Sequence, residues 1–246
     1  FYHEKYAGTL ADIGGYSLNY HKHIHTGEGG VLVTNDDELA ERMQLIRNHA
    51  EAVVEGKGVT NLSNMIGHNF RLGEIECAIG IEQLKKLKKL VATRQKAAER
   101  LSAGLKNLDG LRLPIVKDDC THVYYVYPLI VDIKKLRVSR NLIIKALEAE
   151  GVSGLAAGYA NVHLLPMYQN KIAYGSHGFP WSLKEARQNI SYEKGICPVA
   201  EKLHDETFIG FEMCVHELSY DDIDLIISAF KKVWLNIDSL HSLKEV

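Results

Sequence analysis

The sequence predicts an α/β chain, and three observations predict it. Short apolar segments bounded by glycine and polar residues alternate with helical patterns along the whole length. The longest helical pattern, over residues 72–108, carries Ile75, Ile79, Leu84, Leu87 and Val91 near helical spacing. The composition, 46% hydrophobic and 24% charged over 246 residues, is that of an ordinary globular protein with room for one large or two smaller domains.

Taken in order, residues 11–18 and 29–34 read as short strands. Asn35-Asp36-Asp37 supplies a cap for a helix through about Asn48, with Leu39, Met43 and Ile46 on one face. Residues 50–66 form a connection containing Gly, Asn and Ser. The pattern over 72–108 exceeds a typical single globular helix, so a kink or break is expected near Gly80. Residues 122–131 form a near-continuous apolar and aromatic run, suited to a strand buried on both faces. Ser139 opens a helix through Glu150, which Gly151 closes. Residues 152–195 are irregular, and 208–213 read as a further strand. Ser219-Tyr220-Asp221-Asp222 begins the last helix, with Ile223, Ile226, Phe230, Val233 and Trp234 toward the core. The change of character after Leu108-Asp109-Gly110 places a domain boundary there, giving domains 1–108 and 109–246.

A net charge of −2 and a pI near 6.7 leave no electrostatic footprint for nucleic acid or an anionic membrane. The only basic run, Lys85-Lys86-Leu87-Lys88-Lys89, reads as a solvated helix face. Four widely spaced cysteines with no Cys-x-x-Cys pair favour a reducing compartment and argue against a structural zinc site. No apolar window is long enough to span a bilayer, and Phe1-Tyr2-His3-Glu4-Lys5 has no signal-peptide character, so a cytoplasmic location is expected.

The chemistry centres on Lys22. Ser17 ends the first strand, Lys22 follows five residues on, and Gly27-Glu28-Gly29-Gly30 turns into Val31-Leu32-Val33. Burial at such a corner disfavours an ammonium, and a neutral amine there can attack a carbonyl and hold it as a Schiff base. The hydroxyl of Ser17 is close enough in sequence to bind an anion beside it. Alone, this pattern also fits a solvated loop lysine among turn glycines. His21, His23 and His25 alternate, but no carboxylate or cysteine at the correct spacing completes a metal site.

The wider pattern is more specific. Ala7-Gly8-Thr9-Leu10-Ala11-Asp12-Ile13-Gly14, Ser17, Lys22, Gly27-Glu28-Gly29-Gly30 and Thr34-Asn35-Asp36 resemble the lysine segment of the DegT/DnrJ/EryC1/StrS family of sugar aminotransferases. Arg47-Asn48-His49, Gly67-His68-Asn69-Phe70-Arg71-Leu72, and Cys197-Pro198-Val199-Ala200-Glu201 continue the resemblance in order. It implies the C-terminal part of a fold type I large domain, a mostly parallel sheet with helices, followed by a small α+β domain. It also implies pyridoxal 5'-phosphate as cofactor, glutamate or glutamine as amino donor, and a keto sugar, often nucleotide-linked, as acceptor. Lys22 would form the Schiff base and shuttle the proton, and Ser17 would donate to the cofactor phosphate. Asn69 would reach the phosphate of the neighbouring subunit in a homodimer with shared active sites, with Arg71 supporting the same region. His163, in His163-Leu164-Leu165-Pro166-Met167-Tyr168, would contact substrate. The family needs no metal. Some relatives carry histidine in place of the lysine and catalyse dehydration; the register here lands on lysine and favours transamination.

The resemblance begins partway into the family's large domain. Its phosphate-cradling loop, its ring-stacking aromatic residue and its pyridine-nitrogen aspartate have no counterpart in residues 1–246. The expectation is therefore a chain inactive without an N-terminal half, with an exposed sheet edge and apolar face. The alternative is a non-catalytic fragment or subunit acting by association with such a half. The segment 169–195, with Gly178-Phe179-Pro180-Trp181, is longer than the family pattern requires.

Overall fold

The computed structural model describes residues 1–50, 62–187 and 189–243, so most of the expected 50–66 connection lies outside the described residues. The chain forms two compact units, Phe1–Lys96 with Ile115–Tyr125, and Ala97–Pro114 with Val126–Val246.

In the first unit, β1 (Gly14–Ser17) pairs antiparallel with β2 (Gly30–Val33). Helix α1 (Asp37–Arg47) starts where Asp36 accepts from the Leu39 N–H at 2.9 Å, satisfying a donor that the first helical turn leaves unpaired. Helix α2 (Glu74–Leu105) is unbroken over 32 residues, contrary to the break expected at Gly80. One glycine costs a helix only about 1 kcal/mol, and good helix formers surround it. The glycine instead gives room to a neighbour, since a Cβ on Gly80 would lie 3.2 Å from Thr26 Cγ2. Part of its apolar pattern is open here: Ile75 is 75% and Leu84 62% exposed, while Leu87 and Val91 are half-buried. Among the described residues of this unit, Leu45 and Tyr124 are the only buried hydrophobic side chains.

The second unit holds a four-stranded antiparallel sheet of order β3-β4-β6-β5, built from Leu111–Arg112, Val126–Val131, Phe208–Glu212 and Leu155–Ala156 for β3, β4, β6 and β5. Every strand pairing among the described residues is antiparallel, so the chain's own strands do not include the parallel ladder implied for the whole large domain. Strand β4 is shorter than the 122–131 run and buries alternate residues only: Tyr127, Leu129 and Val131 point inward. The expectation of burial on both faces fails: the sheet is antiparallel, and the alternate residues of β4 are only half-buried. Pro128 is tolerated because the β3 pairing reaches only Ile130 and Val131.

A short helix α3 (Ile133–Leu136) follows β4, and α4 (Arg140–Ala149) is capped by Ser139 and ends at Gly151 in the left-handed region. Two further short helices, α5 (Pro166–Gln169) and α6 (Pro198–Lys202), flank the irregular segment. The last long helix, α7 (Tyr220–Leu235), begins with a reciprocal capping box between Ser219 and Asp222. Ile223, Ile227, Phe230 and Val233 form its buried face, with Ile227 rather than Ile226 fully inward. The end of α2 approaches α7 closely at Gly104, where a Cβ would fall 2.5 Å from Ile227 Cδ1. Arg100 clamps Asp224 with two hydrogen bonds of 2.7 and 2.6 Å. No helix among the described residues is long and apolar enough to cross a membrane.

Candidate active site

Between β1 and β2, residues 18–29 form a closed loop that carries Lys22. Its ends are tied by the Leu18 N–H donating to the Gly29 carbonyl at 2.9 Å, and by Asn19 Nδ2 donating to both Glu28 oxygens at 2.7 and 2.8 Å. Thr26 is buried beneath the loop, its N–H donating to Leu18 O and its hydroxyl to Glu28 O. Glu28 is thus a loop-closing residue, and the Gly-Glu-Gly-Gly corner has a structural task. The Lys22 N–H donates to Asn19 O at 3.0 Å, fixing the turn that presents the side chain.

The loop docks on residues 122–125. His23 Nε2–H donates to Val123 O at 2.6 Å, the His21 and Tyr125 rings lie 5.8 Å apart, and Lys22 Nζ sits 3.9 Å above the Tyr125 ring centroid. The platform is itself held: Gln95 of α2 donates to the His122 carbonyl, and the Tyr124 N–H donates to His122 Nδ1. Burial holds the His23 imidazole below its ordinary value of 6.5, with Arg94, Lys22 and His122 adding repulsion against the Val123 hydrogen bond. Burial lowers His122 as well.

Ser17 ends β1 with an exposed side chain; its Oγ accepts from the Asn19 N–H at 3.2 Å, leaving its O–H available to donate. Asn69 is exposed and bridges Asn48 in antiparallel fashion, and Arg71 Nη1 donates to Asn48 Oδ1 at 2.5 Å. The segments 47–49 and 67–71, read separately from sequence, are thereby stitched together, with His49, His68 and Phe70 backbone bonds across them.

In the second unit, His163 Nε2 lies 2.9 Å from Glu201 Oε1. Glu201 is 5% exposed and also accepts from the Gly195 and Cys197 N–H groups. Burial pushes its carboxyl upward, but those two N–H groups and His163 together hold it below its ordinary value. Gln169 ties the His163 carbonyl to that of Tyr192, and Tyr168, Trp181 and Tyr192 pack as an aromatic trio with Trp181 Nε1–H donating to the Tyr192 hydroxyl. The irregular 169–195 segment is therefore organised around polar ties and three rings. Among the described residues, no group of three His, Cys, Asp or Glu side chains is arranged to hold a metal ion.

An amine with no carboxylate partner among the described residues and a hydroxyl positioned to donate, carried by one strand and its loop, fit an aldehyde that bears a phosphate. The sequence model of the DegT/DnrJ/EryC1/StrS aminotransferase family matches residues 1–228. The chain belongs to that family. The UDP-4-amino-4,6-dideoxy-N-acetyl-beta-L-altrosamine transaminase of Helicobacter pylori is 34% identical over 177 residues, 70% of this chain and 43% of that protein. The spore coat polysaccharide biosynthesis protein SpsC of Bacillus subtilis is 29% identical over 196 residues, 77% of this chain and 50% of that protein. The X-ray structure of an aminotransferase from Psychrobacter cryohalolentis superposes with a TM-score of 0.78 at 24% identity, covering 97% of this chain and 60% of that one, a likeness of fold. The chain spans about half the length of the curated relatives it matches.

Sequence reasoning missed Tyr125 and the clamp formed by Glu201. Glu201 was visible as a motif residue without a role. Nothing local in sequence marks Tyr125 as a neighbour of Lys22.

Proposed function

We propose that the complete protein is a pyridoxal-phosphate-dependent aminotransferase that moves an amino group from glutamate or glutamine to a nucleotide-linked keto sugar. The observation that carries this reading is the Lys22 amine: it stands on a closed, doubly anchored loop, at the position matching the family's lysine, and no carboxylate among the described residues pairs with it. Pyridoxal phosphate, when bound, supplies the electron sink for loss of a proton from the carbon bearing the amino group.

Lys22 Nζ binds the cofactor aldehyde and, once displaced, carries the proton. Ser17 Oγ–H donates to the phosphate, a charge-assisted bond stronger than a neutral one. Asn69 serves the phosphate bound in the neighbouring subunit of a homodimer, and Arg71 orders that segment through Asn48. Residues 1–108 act as part of the large cofactor domain and 109–246 as the small domain, where the pairing of His163 with Glu201 shapes the substrate side. The similarity to the Helicobacter transaminase and the Bacillus spore coat polysaccharide biosynthesis protein supports a sugar acceptor within polysaccharide or nucleotide-sugar metabolism, and a cytoplasmic setting goes with it. Lysine rather than histidine at position 22 favours transamination over dehydration.

The test supplies the complete protein with pyridoxal phosphate, a panel of nucleotide-linked keto sugars, and glutamate or glutamine, and follows amino-sugar formation by mass spectrometry. Turnover is expected with at least one sugar, and Lys22→Ala is expected to lower it by about a thousandfold, since the amine serves as acid–base group. A Lys22→Ala protein within about tenfold of wild type would contradict the reading.

A further inference from the structure

Lys22 Nζ lies 3.9 Å from the centroid of the Tyr125 ring, and that ring face is the partner the structure gives the amine. The ring is not loosely placed. His23 anchors the loop to Val123, Gln95 and the Tyr124 N–H fix His122, and His21 lies against Tyr125 itself. The lysine loop and the ring are thus held in register by contacts that do not involve Lys22.

We propose that Tyr125 is a positioning residue that receives the Lys22 ammonium on its ring face when the lysine is released from pyridoxal phosphate. The inference rests on the reading of Lys22 as the cofactor-binding amine. An aromatic face attracts a cation through its quadrupole and has little attraction for a neutral amine, so the contact favours the displaced, protonated lysine. An incoming amine arrives as an ammonium. As it takes over the protonated double bond to the cofactor carbon, the bond from that carbon to Nζ breaks and the two protons the incoming amine gives up both end on Nζ, so one cation enters and the Lys22 ammonium is released. Charge and electron pairs balance, and Tyr125 stabilises one side of that exchange.

The surrounding charges are compatible with such a resting place. On the same loop stand His21 and His23, with Glu28 bound to Asn19; on the facing segment stand His122 and Tyr125; on α2 stands the buried Arg94. Burial holds His23 and His122 below their ordinary values, which keeps both uncharged at neutral pH beside the ammonium. Arg94 donates to the Leu90 carbonyl of its own helix.

The experiment displaces Lys22 in the cofactor-loaded complete protein with ethanolamine at neutral pH, reading the absorbance change. The concentration for half-displacement is expected to rise about fivefold in Tyr125→Leu and to stay within about twofold of wild type in Tyr125→Phe, which keeps the ring. If Tyr125→Leu does not load cofactor, Tyr125→Gln carries the same expectation. Equal half-displacement in wild type and the ringless variant would overturn the proposal, as would a Tyr125→Phe protein that behaves like Tyr125→Leu. Borohydride reduction of the loaded wild type separates the two readings: cofactor fixed to a lysine other than Lys22 overturns the functional assignment itself, whereas cofactor on Lys22 with no Tyr125 effect overturns only this inference.

Discussion

The two units of the chain are held together by different physics. In the second, Tyr127, Leu129, Ile143, Leu147, Ile209, Ile223 and Phe230 close into a core, each 2% exposed or less. In the first, which carries Lys22, only Leu45 and Tyr124 among the described hydrophobic residues are buried, and order comes from ties such as Asn19–Glu28, His23–Val123 and Arg71–Asn48. Burial of a large aliphatic side chain contributes about 1.5–3 kcal/mol, whereas a typical hydrogen bond contributes about 1 kcal/mol net. Lys22 therefore stands on the unit with the less self-sufficient fold. The exposed apolar positions of α2, Ile75 and Leu84 foremost, are where that unit has surface to lose.

Substitution tests this contrast. Leu147→Ala, in the core of the second unit, is expected to cost about 2–5 kcal/mol in denaturant unfolding. Leu84→Ala, measured in residues 1–246, is expected to stay within about 0.5 kcal/mol. A comparable cost for both would erase the distinction. A cost for Leu84→Ala that appears only in the complete protein would sharpen it, by showing that this face is covered there.

The same contrast is expected in pH dependence. The folded value of His23 lies below 6.5, so the unfolded chain takes up this proton first as pH falls, and stability is lost from about 6.5 downward. The folded value of Glu201 lies below 4.5, so its contribution is present above 4.5 and lost only as pH falls through that lowered value. Amide exchange, corrected for its intrinsic pH dependence, is expected to accelerate in residues 19–26 before it does in 195–201. Loosening of both segments at one pH would contradict this ordering.

What was legible in the sequence was local. The caps Asp36, Ser139 and Ser219 and the helices behind them lie where their patterns place them, because a cap and an amphipathic face are written within a few residues. The strands flanking the lysine loop were legible for the same reason, and the ordered motifs gave the family. The break at Gly80 was misread because glycine's conformational freedom is not its only use; close packing of Thr26 is another. The extent of β4 was misread because an aromatic run does not say where a neighbouring strand ends, and Tyr125 lies outside the strand with its ring beneath Lys22 instead. His23 and Val123 stand 100 residues apart, and His163 and Glu201 stand 38 apart. No local periodicity encodes such meetings, so the platform under Lys22 and the clamp on His163 became visible only in the fold.

The central claim, that Lys22 is the amine that takes the cofactor, is tested most directly by borohydride reduction of the complete, pyridoxal-phosphate-loaded protein followed by peptide mass mapping. The account predicts the reduced cofactor on the peptide containing Lys22, with the label absent in Lys22→Ala. Label on any other lysine, or undiminished label in Lys22→Ala, would contradict it.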